Sequence, residues 1–160
     1  MLRRRMSDPK ATRRSIATNR KARHEYLLLD ELECGIALLG TEVKSLRAGH
    51  CSLAEAYGRI KGDELWLLGA NIPEYSHGNV HNHAPTRDRK LLAKKREIAK
   101  WSKAVREKGV TIVPLEVFWS GSLVKVTVAL AKGKKLYDKR ASERERSDKR
   151  DMARAAGRRR

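Results

Sequence analysis

Apolar and polar positions alternate most regularly between Leu123 and Leu130. Val124, Val126, Val128 and Leu130 fall on one side of the pattern and Lys125, Thr127 and Ala129 on the other, which is the two-residue period of a strand. Val110 to Trp119 has the same period, with Val113, Leu115, Val117 and Trp119 on one face. Ser120-Gly121-Ser122 joins the two runs and predicts a hairpin. A second hairpin is predicted from Tyr57–Ile60 and Leu65–Leu68 around Lys61-Gly62-Asp63-Glu64. His24 to Leu29 and Cys34 to Leu39 read as further strand segments, interrupted at Asp30-Glu31. Helical spacing appears in two places. Thr41 can cap a helix over Glu42–Ala48, with Gly49 ending it. Pro85-Thr86 opens a helical stretch, one helix or two, that runs to Lys108; Leu91, Ile98, Trp101 and Val105 share its face and Gly109 ends it. Ser52-x-x-Glu55 fits a capping box or the entry to a strand. Five or six short strands with two or three helices predict a small, mainly antiparallel β barrel with flanking helices. An OB-like fold is the candidate, a barrel that commonly binds oligonucleotides.

Charge changes this picture at both ends. The 160-residue chain carries a net +18. Residues 1–23 hold nine basic side chains against one acidic, and residues 131–160 hold 13 against five. The middle is nearly neutral, with 15 basic and 13 acidic. The expected division is a basic disordered arm at 1–16, an OB-like barrel at 17–131 and a basic tail at 132–160. Arms of this composition bury too little apolar surface to offset their ordering entropy. They suit a polyanion, with counterion release as the driving force. The absence of any long apolar run excludes a membrane span, and the two cysteines, Cys34 and Cys51, do not make a disulfide scaffold. A cytoplasmic protein is expected.

Little here points to catalysis. Neither a Gly-x-Ser-x-Gly turn nor a P-loop is present, so no catalytic residue is assigned. His77, His81 and His83 fall within seven residues, but Gly78, Asn79 and Asn82 mark a loop and no second ligand motif accompanies them. No metal or cofactor is expected. Asn19 to Tyr26 mixes basic donors with an imidazole and a phenol, groups that hold phosphates or stack on bases; Tyr26 equally suits packing into the barrel. From Asp138 to Ala156 the tail has no Gly or Pro, and Glu145→Lys149 is a favourable helical pair. A tail disordered in the free protein and helical against a polyanion is expected.

Five ordered motifs carry a family resemblance: Asn19-x-x-Ala-Arg-His-x-Tyr26, Gly40-x-Glu-Val-Lys-Ser-Leu-Arg-Ala-Gly49, Gly69-Ala-Asn-Ile72, Pro85-Thr-Arg-x-Arg-Lys-Leu-Leu92 and Ala131-Lys-Gly-Lys-Lys-x-Tyr-Asp-Lys-Arg140. Together they resemble the SsrA-binding protein (small protein B) family over residues 17–150. The resemblance implies a non-enzymatic protein that binds the tRNA-like domain of transfer-messenger RNA and delivers it to stalled 70S ribosomes for trans-translation. The RNA also carries elongation factor Tu with GTP, and the protein acts as a monomer. Asn19, Lys21, Arg23, Glu33, Leu92 and Lys125 match positions implicated in RNA binding. Gly133, Lys134, Lys135, Tyr137, Asp138, Lys139 and Arg140 match the tail that probes the empty mRNA channel and the decoding centre, where 16S rRNA lies. Tyr137 departs from the histidine common in relatives, and Ala84 from an acidic residue.

Overall fold

The computed structural model describes residues 12–78 and 82–157. In chain order the elements are β1 (Arg13–Thr18), α1 (Arg20–Glu25), β2 (Tyr26–Ile36), α2 (Gly40–Arg47), β3 (Tyr57–Lys61), β4 (Glu64–Leu68), β5 (Arg89–Leu92), α3 (Lys95–Lys108), β6 (Thr111–Ser120), β7 (Leu123–Gly133) and α4 (Leu136–Gly157). All strand pairings are antiparallel, and they run β6-β3-β4-β5-β2-β7 and back to β6. That circuit gives the sheet its OB-like form. Both predicted hairpins are present. Strand β6 carries β7 along one edge; its other edge is shared by Ile112, which pairs with Gly58 of β3, and Glu116–Ser120, which pair with β1.

The inner face is the hydrophobic core. Cys34, Leu65, Leu67, Leu91, Ile112, Val117, Val126, Val128 and Leu130 meet there. Helix α3 adds Ile98 and Trp101. The Trp101 indole Nε1–H donates to Asp30 at 3.0 Å, satisfying the one polar atom of a ring only 2% exposed. That bond is the main reason the Asp30 carboxyl is held below its usual range. A smaller cluster lies under α1, where Ala22 meets Val113, Leu115, Ala129 and Ala131, with Tyr26 and Leu28 against it.

The structure departs from the sequence reading at several elements. The interruption at Asp30-Glu31 is a bulge between Leu28 and Asp30 inside one continuous strand. The extra residue turns Leu28 toward the cluster under α1 and Asp30 toward Trp101. The stretch from Pro85 to Lys108 is a strand and then a helix: Leu91 lies in β5, where it pairs with Leu65. Gly109 does end α3, in the left-handed region at φ 59°. Helix α2 starts one residue before Thr41, because the Glu42 carboxylate accepts the Leu39 N–H at 2.8 Å. Ser52 bridges Asn71 instead of opening a helix or a longer strand. Arg13–Thr18, which begins within the segment assigned to the N-terminal arm, pairs as β1 with an edge of β6. The tail from Leu136 to Gly157 is a 22-residue helix, α4. Among the described residues three helices, α1, α2 and α3, flank the sheet, and α4 forms the tail.

Candidate nucleic-acid interface

Cross-strand register assembles the site on the outer face of the sheet. Gly35 of β2 pairs with Leu92 on one side and Lys125 on the other, and Lys125 pairs with Phe118. Directly paired residues share a face, so Leu92, Gly35, Lys125 and Phe118 form one row. One step along, Glu33, Thr127 and Glu116 form a second row. Three residues distant in sequence, Glu33, Leu92 and Lys125, are thus neighbours. Leu92 is 55% exposed at a strand end and is not packed in a helix. A Cβ on Gly35 would stand 3.3 Å from Leu92 Cβ, so glycine keeps the row open.

Arg13 of β1 lies across both rows. Its guanidinium donates to Glu33 at 2.7 Å and also to Glu116, and it sits 3.7 Å from the centroid of the Phe118 ring. The Glu116 and Glu33 hydrogen bonds raise its already high pKa further. Helix α1 supplies Arg20, Lys21 and Arg23, all exposed; Arg23 approaches Glu31 at 3.7 Å. Asn19 has another use. Its side chain donates to Pro114 O at 3.1 Å and its N–H to Leu115 O at 2.7 Å, so it fixes α1 to the bulge in β6. Sequence reasoning missed Arg13, Glu116, Phe118 and Thr127. Arg13 and Glu116 are 103 residues apart, and no local pattern announces their meeting.

The tail residues meet α1 at residues 23–25. Lys134 Nζ donates to Arg23 O and to Ser142 Oγ, both at 3.1 Å, and its N–H donates to Glu25 O. His24 Nε2 lies 3.3 Å from Glu143, and Arg146 donates to Arg23 O. These contacts seat the first turns of α4 on the C-terminal end of α1. Asp138 and Lys139 are half-buried and Arg140 is exposed; Gly133 ends β7 and Lys135 is exposed. The Tyr137 side chain lies outside the described residues.

Three of the five sequence motifs converge elsewhere, on a buried polar knot. Glu42, fully buried, accepts from Arg87 and Arg89. Arg89 also donates to Ala70 O and Pro85 O. Nearby His83, 3% exposed, places Nε2 2.7 Å from Ile72 O and Nδ1 2.8 Å from Thr41 Oγ1. A carbonyl only accepts, so Nε2 carries the proton. Of the three loop histidines, His81 lies outside the described residues. Among the described residues no cluster of His, Cys, Asp and Glu is arranged to hold a metal ion. Burial pushes the Cys34 thiol up to about 12 and the Cys51 thiol up to about 11, so neither is a thiolate near neutrality. No helix among the described residues is long and apolar enough to cross a membrane.

These features define an OB-like module with a polar, arginine-lined outer face and a cationic helix appended. The family model for SmpB protein matches residues 16–158. An SsrA-binding protein of Magnetococcus marinus is 50% identical over 143 residues, covering 89% of this chain and 95% of the relative. Another from Salinispora arenicola is 52% identical over 147 residues, covering 92% of each. A chain of the solved structure "tmRNA-SmpB: a journey to the center of the bacterial ribosome" superposes with a TM-score of 0.62 at 43% identity, over 75% of this chain and 85% of that one. The chain belongs to the SmpB family.

Proposed function

We propose that this protein binds the tRNA-like domain of transfer-messenger RNA through the outer face of its sheet and carries it to stalled ribosomes for trans-translation. The observation that carries this reading is the convergence of Glu33, Leu92 and Lys125 on adjacent rows, with Arg13, Arg20 and Arg23 around them. Family membership supports it, because the relatives are SsrA-binding proteins. Lys125 is suited to a phosphate, Leu92 to an unstacked base and Glu33 to a donor on a base edge or ribose. Lys21 and Arg23 add backbone contacts, while Asn19 acts by holding α1 in place. The tail from Gly133 through Lys134, Lys135, Tyr137, Asp138, Lys139 and Arg140 enters the empty mRNA channel and meets 16S rRNA at the decoding centre. The protein works as a cytoplasmic, non-enzymatic monomer, and elongation factor Tu with GTP reaches it through the RNA.

The test is binding to the tRNA-like fragment across a salt series, with an alanine tRNA as competitor. Phosphate contacts alone fall steeply with salt and discriminate little between the two RNAs. The expected result is a preference for the tRNA-like fragment that persists at high salt and is weakened about tenfold by Glu33→Ala or Lys125→Ala, as for a lost charged hydrogen bond. Parallel loss of both RNAs would overturn the outer-face site and favour a generic RNA chaperone.

A further inference from the structure

A cavity of about 520 Å³ opens on the outer face between β1, α1, β2 and the β6–β7 hairpin. Thr127 lies in its lining and is 8% exposed. Its Oγ1 has no hydrogen-bond partner among the described residues. A buried hydroxyl left unpaired weakens the fold that keeps it, so stability does not explain its presence. Thr127 pairs in register with Glu33 on one side and Glu116 on the other. Arg13 donates to both of these carboxylates, so its guanidinium spans the Thr127 position. Arg20 and Arg23 also line the cavity.

The chemistry of the walls selects the occupant. Carboxylates only accept hydrogen bonds, whereas a hydroxyl both donates and accepts. The planar guanidinium forks favour an anion that can offer them two oxygens at once, as phosphate does. A ligand must therefore present phosphate to the rim and hydrogen-bond donors to the floor. An unpaired nucleotide does both, with its phosphate at one end and its base edge or ribose 2′-hydroxyl at the other. Resting on the RNA-binding reading above, we infer that this cavity seats one unpaired nucleotide of the bound RNA, with Thr127 Oγ1 as a direct contact and Arg13 as a displaceable lid. In the free protein Arg13 neutralises Glu33 and Glu116. On binding it exchanges them for a phosphate, and the two carboxylates turn to donors on the nucleotide.

The decisive variants are Thr127→Val, which keeps the shape without the hydroxyl, and Thr127→Ser, which keeps the hydroxyl. Each is measured for melting temperature and for affinity to the tRNA-like RNA fragment at fixed salt. Thr127→Val is expected to melt at or above the temperature of the parent yet bind fivefold to tenfold more weakly, the scale of one lost hydrogen bond. Thr127→Ser is expected to bind within twofold of the parent. Wild-type affinity in Thr127→Val, or equal losses in both variants, overturns the proposal. Arg13→Ala supplies a second readout independent of Thr127: its log-affinity against log-salt slope should fall by about one phosphate contact, and an unchanged slope removes Arg13 from the seat. If the parent itself shows no preference over alanine tRNA at high salt, the outer-face reading has failed and this inference falls with it. If that preference stands while Thr127→Val binds normally, only the nucleotide seat is wrong.

Discussion

Glu42 keeps its charge without solvent exposure because four hydrogen bonds converge on it. Burial alone would raise its pKa, but the Arg87 guanidinium, the Leu39 N–H and Arg89 outweigh burial and hold it below the usual carboxylate value. A carboxylate with a depressed folded pKa contributes stability above its unfolded value of about 4.3, and that contribution is lost as pH falls through the folded pKa. Arg89→Met removes one partner and leaves the charge buried, an error that costs about 3–5 kcal/mol. Chemical denaturation at neutral pH should show that loss. An acid titration should show the variant unfolding at a higher pH than the parent because it starts with less stability in reserve, while Glu42's own share of the pH dependence shrinks as its folded pKa moves back toward the unfolded value. Wild-type stability in Arg89→Met would mean that Arg87 alone satisfies the knot. The residues of this knot were visible in the sequence as motifs; their role was not, since Glu42 and Arg89 lie 47 positions apart. The same limit hid Thr127, which looked like one more polar position in an alternating strand.

At the scale of elements, the legible parts were those whose partners are near in sequence. The β3–β4 and β6–β7 hairpins follow from alternation and a short turn. Strand β5 was not legible. Only four residues long, it abuts helix α3, and Leu91 by chance keeps helical spacing with Ile98 and Trp101. Its strand identity comes from pairing with β4 and β2, contacts that no local window contains. Barrel closure raises the same difficulty, and there it rests on a narrow seam. β3 and β6 pair in register at Gly58 and Ile112. A Cβ on Gly58 would stand 2.4 Å from Ile112 Cγ2, closer than any side chain tolerates without movement. Gly58→Ala should therefore push Ile112 off the core and cost about 1–3 kcal/mol by overpacking. Hydrogen exchange of the amides around Gly58 and Ile112 checks this: protection should fall there first, while the β6–β7 hairpin keeps its own. Uniform loss across the sheet would place the strain elsewhere.

Across the whole molecule, charge at the two ends in sequence converges on one short helix. α1 presents Arg20 and Arg23 to the outer-face cavity, and the C-terminal carbonyls of the same helix receive Lys134 and Arg146 from the tail. The sequence exposed the cationic character of both ends but not their meeting, because a composition argument treats each arm alone. Helix α4 is held by its first turns; from Glu143 to Gly157 every residue is exposed. Lys149 pairs with Glu145 at 2.8 Å, an interaction worth only about 0.2–0.5 kcal/mol. Most of the helix is thus free of the barrel and contributes little to its stability. The outer face and the tail should therefore separate as functions. Asp138→Ala combined with Lys139→Ala lies beyond the RNA-binding rows, so affinity for the tRNA-like fragment should stay within about twofold, as for sites that share no partners. In a reconstituted assay with stalled ribosomes, the same protein should fail to support peptide tagging. Glu33→Ala should fail in both assays. Tagging that survives the tail change would remove these residues from any ribosomal contact. A parallel loss of RNA affinity would mean instead that α1 transmits the tail's docking to the RNA face, and the two ends would have to be treated as one site.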